Sequence, residues 1–147
     1  MRPVGRIESS LRNRSDAPNQ GDEGAPDCTI TLDPRYATAA RDIAAGAELL
    51  VLGWGSSEGA LRAGVRRVRQ GGRKVARAHL HHLNPLPANL GEVLRAYPRV
   101  LLPEMNSGQL TRVLRAEYLV DVEGYSRVEG RPLFAAEIEN AILERLS

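Results

Sequence analysis

The sequence has little of what metal centres and membrane anchors are built from. Its 147 residues include one cysteine, Cys28, which excludes an internal disulfide and cannot by itself hold zinc or an iron–sulfur cluster. No uninterrupted apolar run approaches the roughly 18 residues of a membrane helix, and the N-terminus lacks the apolar core of a signal peptide. These absences predict a cytoplasmic protein without membrane contact.

Aromatic residues and excess charge of one sign are also scarce. Aromatic residues make up 4% of the chain, and the net charge of +2 is too small to indicate a nucleic-acid partner. Lys74 is the single lysine among 20 basic residues, a bias that we attribute to codon usage. Hydrophobic and charged contents of 42% and 26% are typical of a soluble globular protein, and the length fits one domain.

The first 46 residues differ in composition from the rest. They are rich in Ser, Asn, Asp, Gly, Pro and Arg and have no stable apolar period, which predicts a flexible or disordered arm over 1–46. Within it, 36–45 show a weak helical pattern. One folded domain is predicted over 47–147.

Strands and helices alternate four times in this domain. The apolar run 48–52 meets the turn GWGSS and leads into a helix over 58–70. Such alternation with short loops indicates an α/β fold, in which a mainly parallel sheet is covered by helices on both faces. The loops that follow the first three strands, 53–57, 81–87 and 103–109, are then expected to converge at one edge of the sheet, where ligands usually bind. Further strands are predicted at 74–80, 100–102 and 118–122, with an optional edge strand at 125–128. Further helices are predicted at 88–96, 106–116 and 134–146. The helix at 106–116 is expected to be capped by Ser107 or Asn106 and to bury Leu110, Val113 and Leu114, and the helix at 134–146 is expected to bury Phe134, Ile138 and Ile142.

The glycines of the first turn permit two interpretations. Gly53, Gly55 and Gly59 form Gly-x-Gly-x-x-x-Gly, one residue longer than the dinucleotide fingerprint. The acidic residue expected at the end of the second strand, where it would bind a ribose hydroxyl, is replaced by histidines. We therefore favour a tight strand-to-helix corner over a phosphate site, with Trp54 as a packing or interface residue.

Histidines and arginines form the next candidate groups. His79 and His81 share one face of a strand and His82 points away, so two of them at most could share a metal, and no metal site is predicted. A single histidine that hydrogen-bonds a neighbouring subunit or a substrate carboxylate is the alternative to a satisfied polar group. The stripe of Arg62, Arg66 and Arg69 fits a solvated helix face better than an anion site, although coenzyme A would also suit it.

The segment LLPEMNSGQL, 101–110, is the most distinctive in the chain. It places Glu104, Asn106, Gly108 and Gln109 in one loop at the ligand edge, which is more polar detail than a connection needs. Glu104 could act as a general base, but no matching acid or nucleophile lies beside it in the sequence. Contact with a partner or with a cofactor-bearing domain is the favoured interpretation.

The order of four motifs, GWGSS, HHLNPLP, LLPEMNSGQL and RAEYLVDVEGYSRVEGRP, closely resembles the C-terminal part of the alpha subunit of 2-oxoglutarate:ferredoxin oxidoreductases. These enzymes belong to the thiamine diphosphate-dependent 2-oxoacid:ferredoxin oxidoreductase family. The resemblance covers 48–146 and implies a three-layer sandwich like the transketolase C-terminal domain. It also implies a complex that uses thiamine diphosphate, Mg and iron–sulfur clusters. The partners would be a beta subunit and the remaining alpha-subunit domains, with ferredoxin and coenzyme A acting through the complex.

Two functions are consistent with these features. The first is a truncated or separately encoded alpha-subunit component of a 2-oxoacid (2-oxoglutarate) oxidoreductase, which packs beside the catalytic domains, binds no cofactor alone and has no catalytic residue. The alternative is a free-standing module that binds a nucleotide or coenzyme A. The residues predicted to lie at the interface or ligand edge are Gly53, Gly55, Ser56, His79, His81, Asn84, Glu104, Asn106, Gly108 and Gln109.

Overall fold

A computed structural model of the chain shows an α/β fold built on one parallel sheet. The structure describes residues 46–147 and the backbone of a short strand at 29–32. The five strands lie in the order β1-β3-β2-β4-β5, and every neighbouring pair is parallel. Their bounds are Thr29–Leu32 (β1), Leu49–Trp54 (β2), Val75–Leu80 (β3), Val100–Glu104 (β4) and Val122–Ser126 (β5).

Four helices cover the two faces of this sheet. Helices α1 and α4 pack together on one face, and α2 and α3 lie on the other. This arrangement is the predicted three-layer sandwich. None of the described helices is both long and apolar enough to span a membrane. The bounds are Glu58–Gln70 (α1), Leu90–Arg95 (α2), Gln109–Tyr118 (α3) and Ala135–Leu146 (α4), and a single 3-10 turn at Gly55–Ser57 joins β2 to α1.

Strand β2 shows why the sheet is buried on both faces. Leu50 and Leu52 point to the layer of α2 and α3, whereas Leu49 and Val51 point to the layer of α1 and α4. All four side chains are fully buried. An apolar residue at every position is typical of a central strand in a parallel sheet, and it made this strand recognisable in the sequence.

The connections of β2 and β4 run in opposite directions. The chain leaves β2 through α1 and reaches β3 on one side, then crosses back through α2 to β4 on the other side of β2. Strand β4 continues through α3 to β5, away from β2. The loops after β2 and β4 therefore turn to opposite faces of the sheet, and this leaves a crevice between them.

The last strand differs from its prediction. We predicted a strand over 118–122, but α3 continues to Tyr118 and β5 begins at Val122. The Tyr118 ring packs so closely against Gly91 of α2 that a Cβ on Gly91 would lie 2.8 Å from it, which favours the extended helix. Because β5 is an edge strand, its polar residues are compatible with a strand there. The optional edge strand at 125–128 overlaps its second half.

The N-terminal arm is not wholly without structure. Residues 1–46 were predicted to be flexible or disordered, but Thr29–Leu32 form β1, which pairs with β3 in the register Thr29 opposite Arg77. The four residues are too few to show a period of their own, and their strand depends on pairing with a formed sheet. The helical pattern predicted at 36–45 lies outside the described residues.

Two residues predicted to point inward are half-exposed instead. Val113 lies on the outer side of α3, because Leu110 and Leu114 already fill its buried face. Phe134 precedes α4 in extended backbone, and its ring lies 4.8 Å from the Arg131 guanidinium. The buried apolar residue at this position is its neighbour, Leu133.

Candidate functional site

A groove lies at the crevice between the ends of β2 and β4. Its volume is about 250 Å³, and two loops form its walls. One wall is the end of β2 with the following turn, 54–57, and the other is the end of β4 with the following loop, 103–106. Thus two of the three loops that we expected to converge, 53–57 and 103–109, meet here. Of the predicted residues, Gly55, Ser56, Glu104 and Asn106 line the groove.

The first two glycines of the turn have structural reasons to be glycine. A Cβ on Gly53 would lie 2.5 Å from the Leu61 side chain and 3.1 Å from Nδ1 of His79. Side chains of α1 and β3 thus pack against Gly53 so closely that they leave no room for a Cβ. Gly55 has a φ of 61°, which L-residues rarely adopt. The Ser57 hydroxyl closes the turn by donating a 2.8 Å hydrogen bond to the Trp54 carbonyl. This geometry agrees with a tight corner rather than a phosphate cradle.

The carboxylate of Glu104 is occupied within the chain. It lies at the end of β4 with 2% of the residue exposed. Its two oxygens accept hydrogen bonds from the backbone N–H groups of Leu110 and Thr111, at 3.0 and 3.1 Å, and from the Thr111 hydroxyl at 2.8 Å. A negative charge at the start of α3 also interacts favourably with the helix dipole. Glu104 therefore holds the helix terminus, and a free general base is not present at this position.

Asn106 and Gly108 shape the rest of the same loop. The Asn106 side-chain oxygen accepts hydrogen bonds from the backbone N–H groups of Gly108 and Gln109, at 2.8 and 3.0 Å. Gly108, with a φ of 80°, occupies the N-cap position of α3. We predicted Asn106 or Ser107 as the cap; the side chain that binds the N–H groups at this helix start is that of Asn106, two residues before Gly108. Together, Asn106 and Glu104 bind the N–H groups from Gly108 to Thr111. Gln109 is exposed and does not line the groove.

The histidines do not line the groove, although His79 lies next to the glycine turn, opposite Gly53 in the sheet. His79 is a buried residue of β3, and its ring centroid is 5.2 Å from that of the exposed His81. The pKa of His79 lies below its ordinary value of 6.5, chiefly because burial disfavours the charged imidazolium. The nearby Glu58 carboxylate favours the charged form and offsets part of this shift. Asn84 is exposed and forms a cis bond to Pro85. The loop 81–87 starts beside the end of β2, where Leu80 pairs with Trp54, but its residues do not line this groove. Within the described residues no three His, Cys, Asp or Glu side chains could hold a metal ion.

Basic residues of α1 and β3 have structural partners. Arg77 is 1% exposed, and its guanidinium lies 3.6 Å from the Glu58 carboxylate at the start of α1. Arg69 donates a 2.8 Å hydrogen bond from Nε to the Val75 carbonyl. Arg62 is exposed. The arginine stripe is thus only in part a solvated face, because Arg69 ties the end of α1 to β3.

Sequence reasoning missed Met105 and the role of Pro103 as groove walls. Met105 is 40% exposed, and Trp54 on the facing wall is half-buried against the core beside α2 and α3. Trp54 was predicted to be a packing or interface residue, and its packing contact is confirmed. The available signal for Met105 was its place directly after a buried strand that ends at the ligand edge.

No family model matches this chain. It is 55% identical over 101 residues to the 2-oxoglutarate oxidoreductase subunit KorA of Mycobacterium tuberculosis, covering 69% of this chain and 16% of KorA. It is 32% identical over 103 residues to the alpha subunit of 2-oxoacid:ferredoxin oxidoreductase 1 of Aeropyrum pernix, covering 67% of this chain and 16% of that subunit. The chain therefore corresponds to about a sixth of the curated relatives that it matches.

A solved structure shows the same fold. The 2-oxoglutarate:ferredoxin oxidoreductase of Magnetococcus marinus, with 2-oxoglutarate, coenzyme A and succinyl-CoA bound, matches with a TM-score of 0.65 and 29% identity. The match covers 69% of this chain and 18% of that one. Sequence and structure thus agree with the resemblance carried by the four motifs, and the chain is homologous to one segment of the alpha subunit of 2-oxoacid:ferredoxin oxidoreductases.

Proposed function

We propose that this chain is part of the alpha subunit of a 2-oxoacid:ferredoxin oxidoreductase, and that it packs against the domains that carry catalysis. The observation that carries the proposal is the 55% identity over 101 residues to KorA. Identity at this level extends over a span as long as the described domain, so it favours a common place in a common assembly over a shared fold alone.

The reaction of the complete enzyme would be oxidative decarboxylation of a 2-oxoacid, in the first place 2-oxoglutarate, to an acyl-coenzyme A. Thiamine diphosphate, Mg²⁺ and iron–sulfur clusters would be held by other domains and subunits in the cytoplasm, with ferredoxin as the electron acceptor. The described residues of this chain form no group of three His, Cys, Asp or Glu side chains able to hold a metal ion. We assign the chain no catalytic residue.

The loops at the carboxyl edge of the sheet suit a packing role. The Glu104 and Asn106 side chains accept hydrogen bonds from backbone N–H groups, and the Ser57 hydroxyl donates one to a backbone carbonyl, so the backbone is fixed on both sides of the groove. A surface held in one shape loses little conformational entropy when a partner binds. Glu104 and Asn106 thereby stabilise the surface, and contact with the partner falls to the residues exposed beside them.

Co-expression with the beta subunit and the remaining alpha-subunit domains tests this proposal. We expect the chain to co-purify with them and to be required for 2-oxoglutarate- and coenzyme A-dependent reduction of a viologen dye, with omission of the chain as the control. Coenzyme A and ATP titrated into the isolated chain test the rival function, a free-standing binding module. Micromolar affinity for either ligand together with failure to assemble would refute the subunit proposal.

A further inference from the structure

His79 is buried near the end of β3, directly beside the turn that leads from β2 to α1. It is 5% exposed and lies opposite Gly53 in the sheet. A Cβ on Gly53 would lie 3.1 Å from Nδ1 of His79 and 2.5 Å from the Leu61 side chain. The same Cβ would lie 3.5 Å from the Ser57 hydroxyl oxygen. The imidazole, the turn and the first part of α1 therefore pack closely around one point.

This environment favours the neutral imidazole. Among the described residues, Nδ1 of His79 is buried and has no hydrogen-bond partner. The imidazolium carries an N–H group on both ring nitrogens, so its Nδ1–H would be buried without an acceptor. An unpaired buried donor costs free energy, and burial itself disfavours the charge. The pKa of His79 accordingly lies below its ordinary value of 6.5, with burial as the largest cause, although a hydrogen bond with the Gly55 backbone favours the charged form.

The charged and titratable groups that face His79 within the described residues are Glu58 of α1, Arg77 of β3 and His81. Arg77, two positions earlier on the same face of β3, is 1% exposed, and its guanidinium lies 3.6 Å from the Glu58 carboxylate. The ring centroid of His81 lies 5.2 Å from that of His79. The residues opposite His79 in β1 and β2 have no ionisable side chain. Protonation of His79 thus adds a cation beside Arg77, and the carboxylate that faces it already pairs with Arg77.

We propose that this cluster makes the start of α1 sensitive to pH: neutral His79 holds the turn 53–57 closed, and protonation of His79 opens it. A protonated ring requires water or an acceptor at Nδ1, and neither has room there unless Gly53 or Leu61 moves away. Because the pKa of His79 in the folded chain lies below 6.5, the closed turn is fully stable above that pH and loses stability as the pH falls below it. The inference concerns the chain itself and does not depend on the proposed function.

Trp54 reports on the turn, because it is the single tryptophan of the sequence and its carbonyl accepts the hydrogen bond from Ser57. Full-length chain labelled with 5-fluorotryptophan gives one ¹⁹F NMR signal, which is recorded from about pH 8 to about pH 5. The ring C–H signals of the three histidines are followed in the same samples and assigned by substitution. We expect the Trp54 signal to shift with the same midpoint as His79, below pH 6.5. The Glu137 carboxylate, with a pKa of about 2, stays charged throughout this range.

Substitution of each histidine separates their roles. His79→Gln should abolish the pH-dependent shift of the Trp54 signal. His81→Gln removes a positive charge that disfavours protonation of His79, so it should move the midpoint of the shift to higher pH. His82→Gln is the matched control, because His82 is exposed and is not among the groups that shift the pKa of His79. It should leave the midpoint unchanged.

Thermal unfolding at about pH 8 verifies that the three variants fold, and the pair of exposed histidines decides the question if His79→Gln does not. A Trp54 signal that stays constant while His79 titrates would overturn the inference, as would a shift that persists in His79→Gln. Equal midpoints for His81→Gln and His82→Gln, or a His79 that remains neutral down to about pH 5, would also overturn it.

Discussion

Replacing Glu104 by Gln tests whether its carboxylate holds the start of helix α3. The carboxylate accepts hydrogen bonds from the N–H groups of Leu110 and Thr111 and from the Thr111 hydroxyl, at 3.0, 3.1 and 2.8 Å. Because the residue is 2% exposed, water cannot replace a lost partner without a change in structure. The substitution preserves side-chain size, so its effect comes from the hydrogen bonds and the charge.

The cost follows from the groups that lose their partners. The Gln side chain keeps one acceptor oxygen, but its NH₂ group must face either the Leu110 or the Thr111 N–H. One buried N–H left unpaired costs about 1–3 kcal/mol, and loss of the charge at the helix start removes about 0.3–2 kcal/mol. Relief from burying a charge offsets part of this. We expect a net loss of about 2 kcal/mol, equivalent to a Tm lower by roughly 8–16 °C for a domain of this size.

Urea unfolding followed by circular dichroism measures the loss. Glu117→Gln, on the exposed part of the same helix, is the matched control and should change stability by less than about 0.5 kcal/mol. Thr111→Val in both backgrounds completes a double-mutant cycle, for which we expect a coupling of about 0.5–1 kcal/mol or more. If Glu104→Gln is as stable as the control and the coupling is zero, the carboxylate does not cap α3 and the reasoning is wrong.

Three further predictions concern the glycine turn, the ion pair before α4 and the end of α3. Gly53→Ala should destabilise the fold by about 1–3 kcal/mol through overpacking. Gly59→Ala adds a Cβ that would meet nothing within 4 Å, so it should stabilise the fold by about 0.5–1 kcal/mol. Equal effects of the two substitutions in urea unfolding would contradict the packing role of Gly53. The hydrogen bond from Arg131 lowers the pKa of Glu137 from 4.5 to about 2, so the stability that this pair contributes is present above pH 4.5 and is lost as the pH falls toward 2. In acid titration, the stability of Glu137→Gln should therefore decline less steeply over that range than that of the unmodified chain. Equal declines in stability would count against the pair. Leu119→Gly should raise the Tm, because Leu119 has a φ of 53° where glycine carries no steric penalty; a lower Tm would show that its side chain stabilises the fold.

Periodicity identified the helices well because their buried faces repeat within the sequence. The first helix was predicted over 58–70, and α1 spans Glu58–Gln70. Its Leu61, Val65 and Val68 are buried against the sheet and α4, as the spacing indicates. Central strands were equally clear, since they are apolar at every position. The predictions were wrong where a residue's environment depends on elements distant in the sequence. The strand β1 was not predicted, and Val113 and Phe134 were predicted to be buried but are half-exposed.

The site was predictable in location but not in the roles of its residues. The rule that loops after parallel strands share an edge brought 53–57 and 103–109 together correctly. Loop 81–87 follows β3, which pairs with β2 on the side away from β4, so the strand order separates this loop from 103–109 but not from 53–57. Glu104 was expected to face a partner, yet its carboxylate bonds to backbone groups of the next helix. Neither the strand order nor these partners can be read from spacing along the chain.

The sequence by itself determined the alternation of strands and helices, the burial of the central strands and the family resemblance, because each depends on residues close together in the chain or on an ordered series of motifs. Tertiary structure decided the rest. It brought Trp54 and Met105 into the lining of one groove, set the carboxylate of Glu104 on the start of α3, and buried Arg77 beside Glu58. These contacts join segments whose distance in space is set by the order of strands in the sheet, and local sequence does not encode that order.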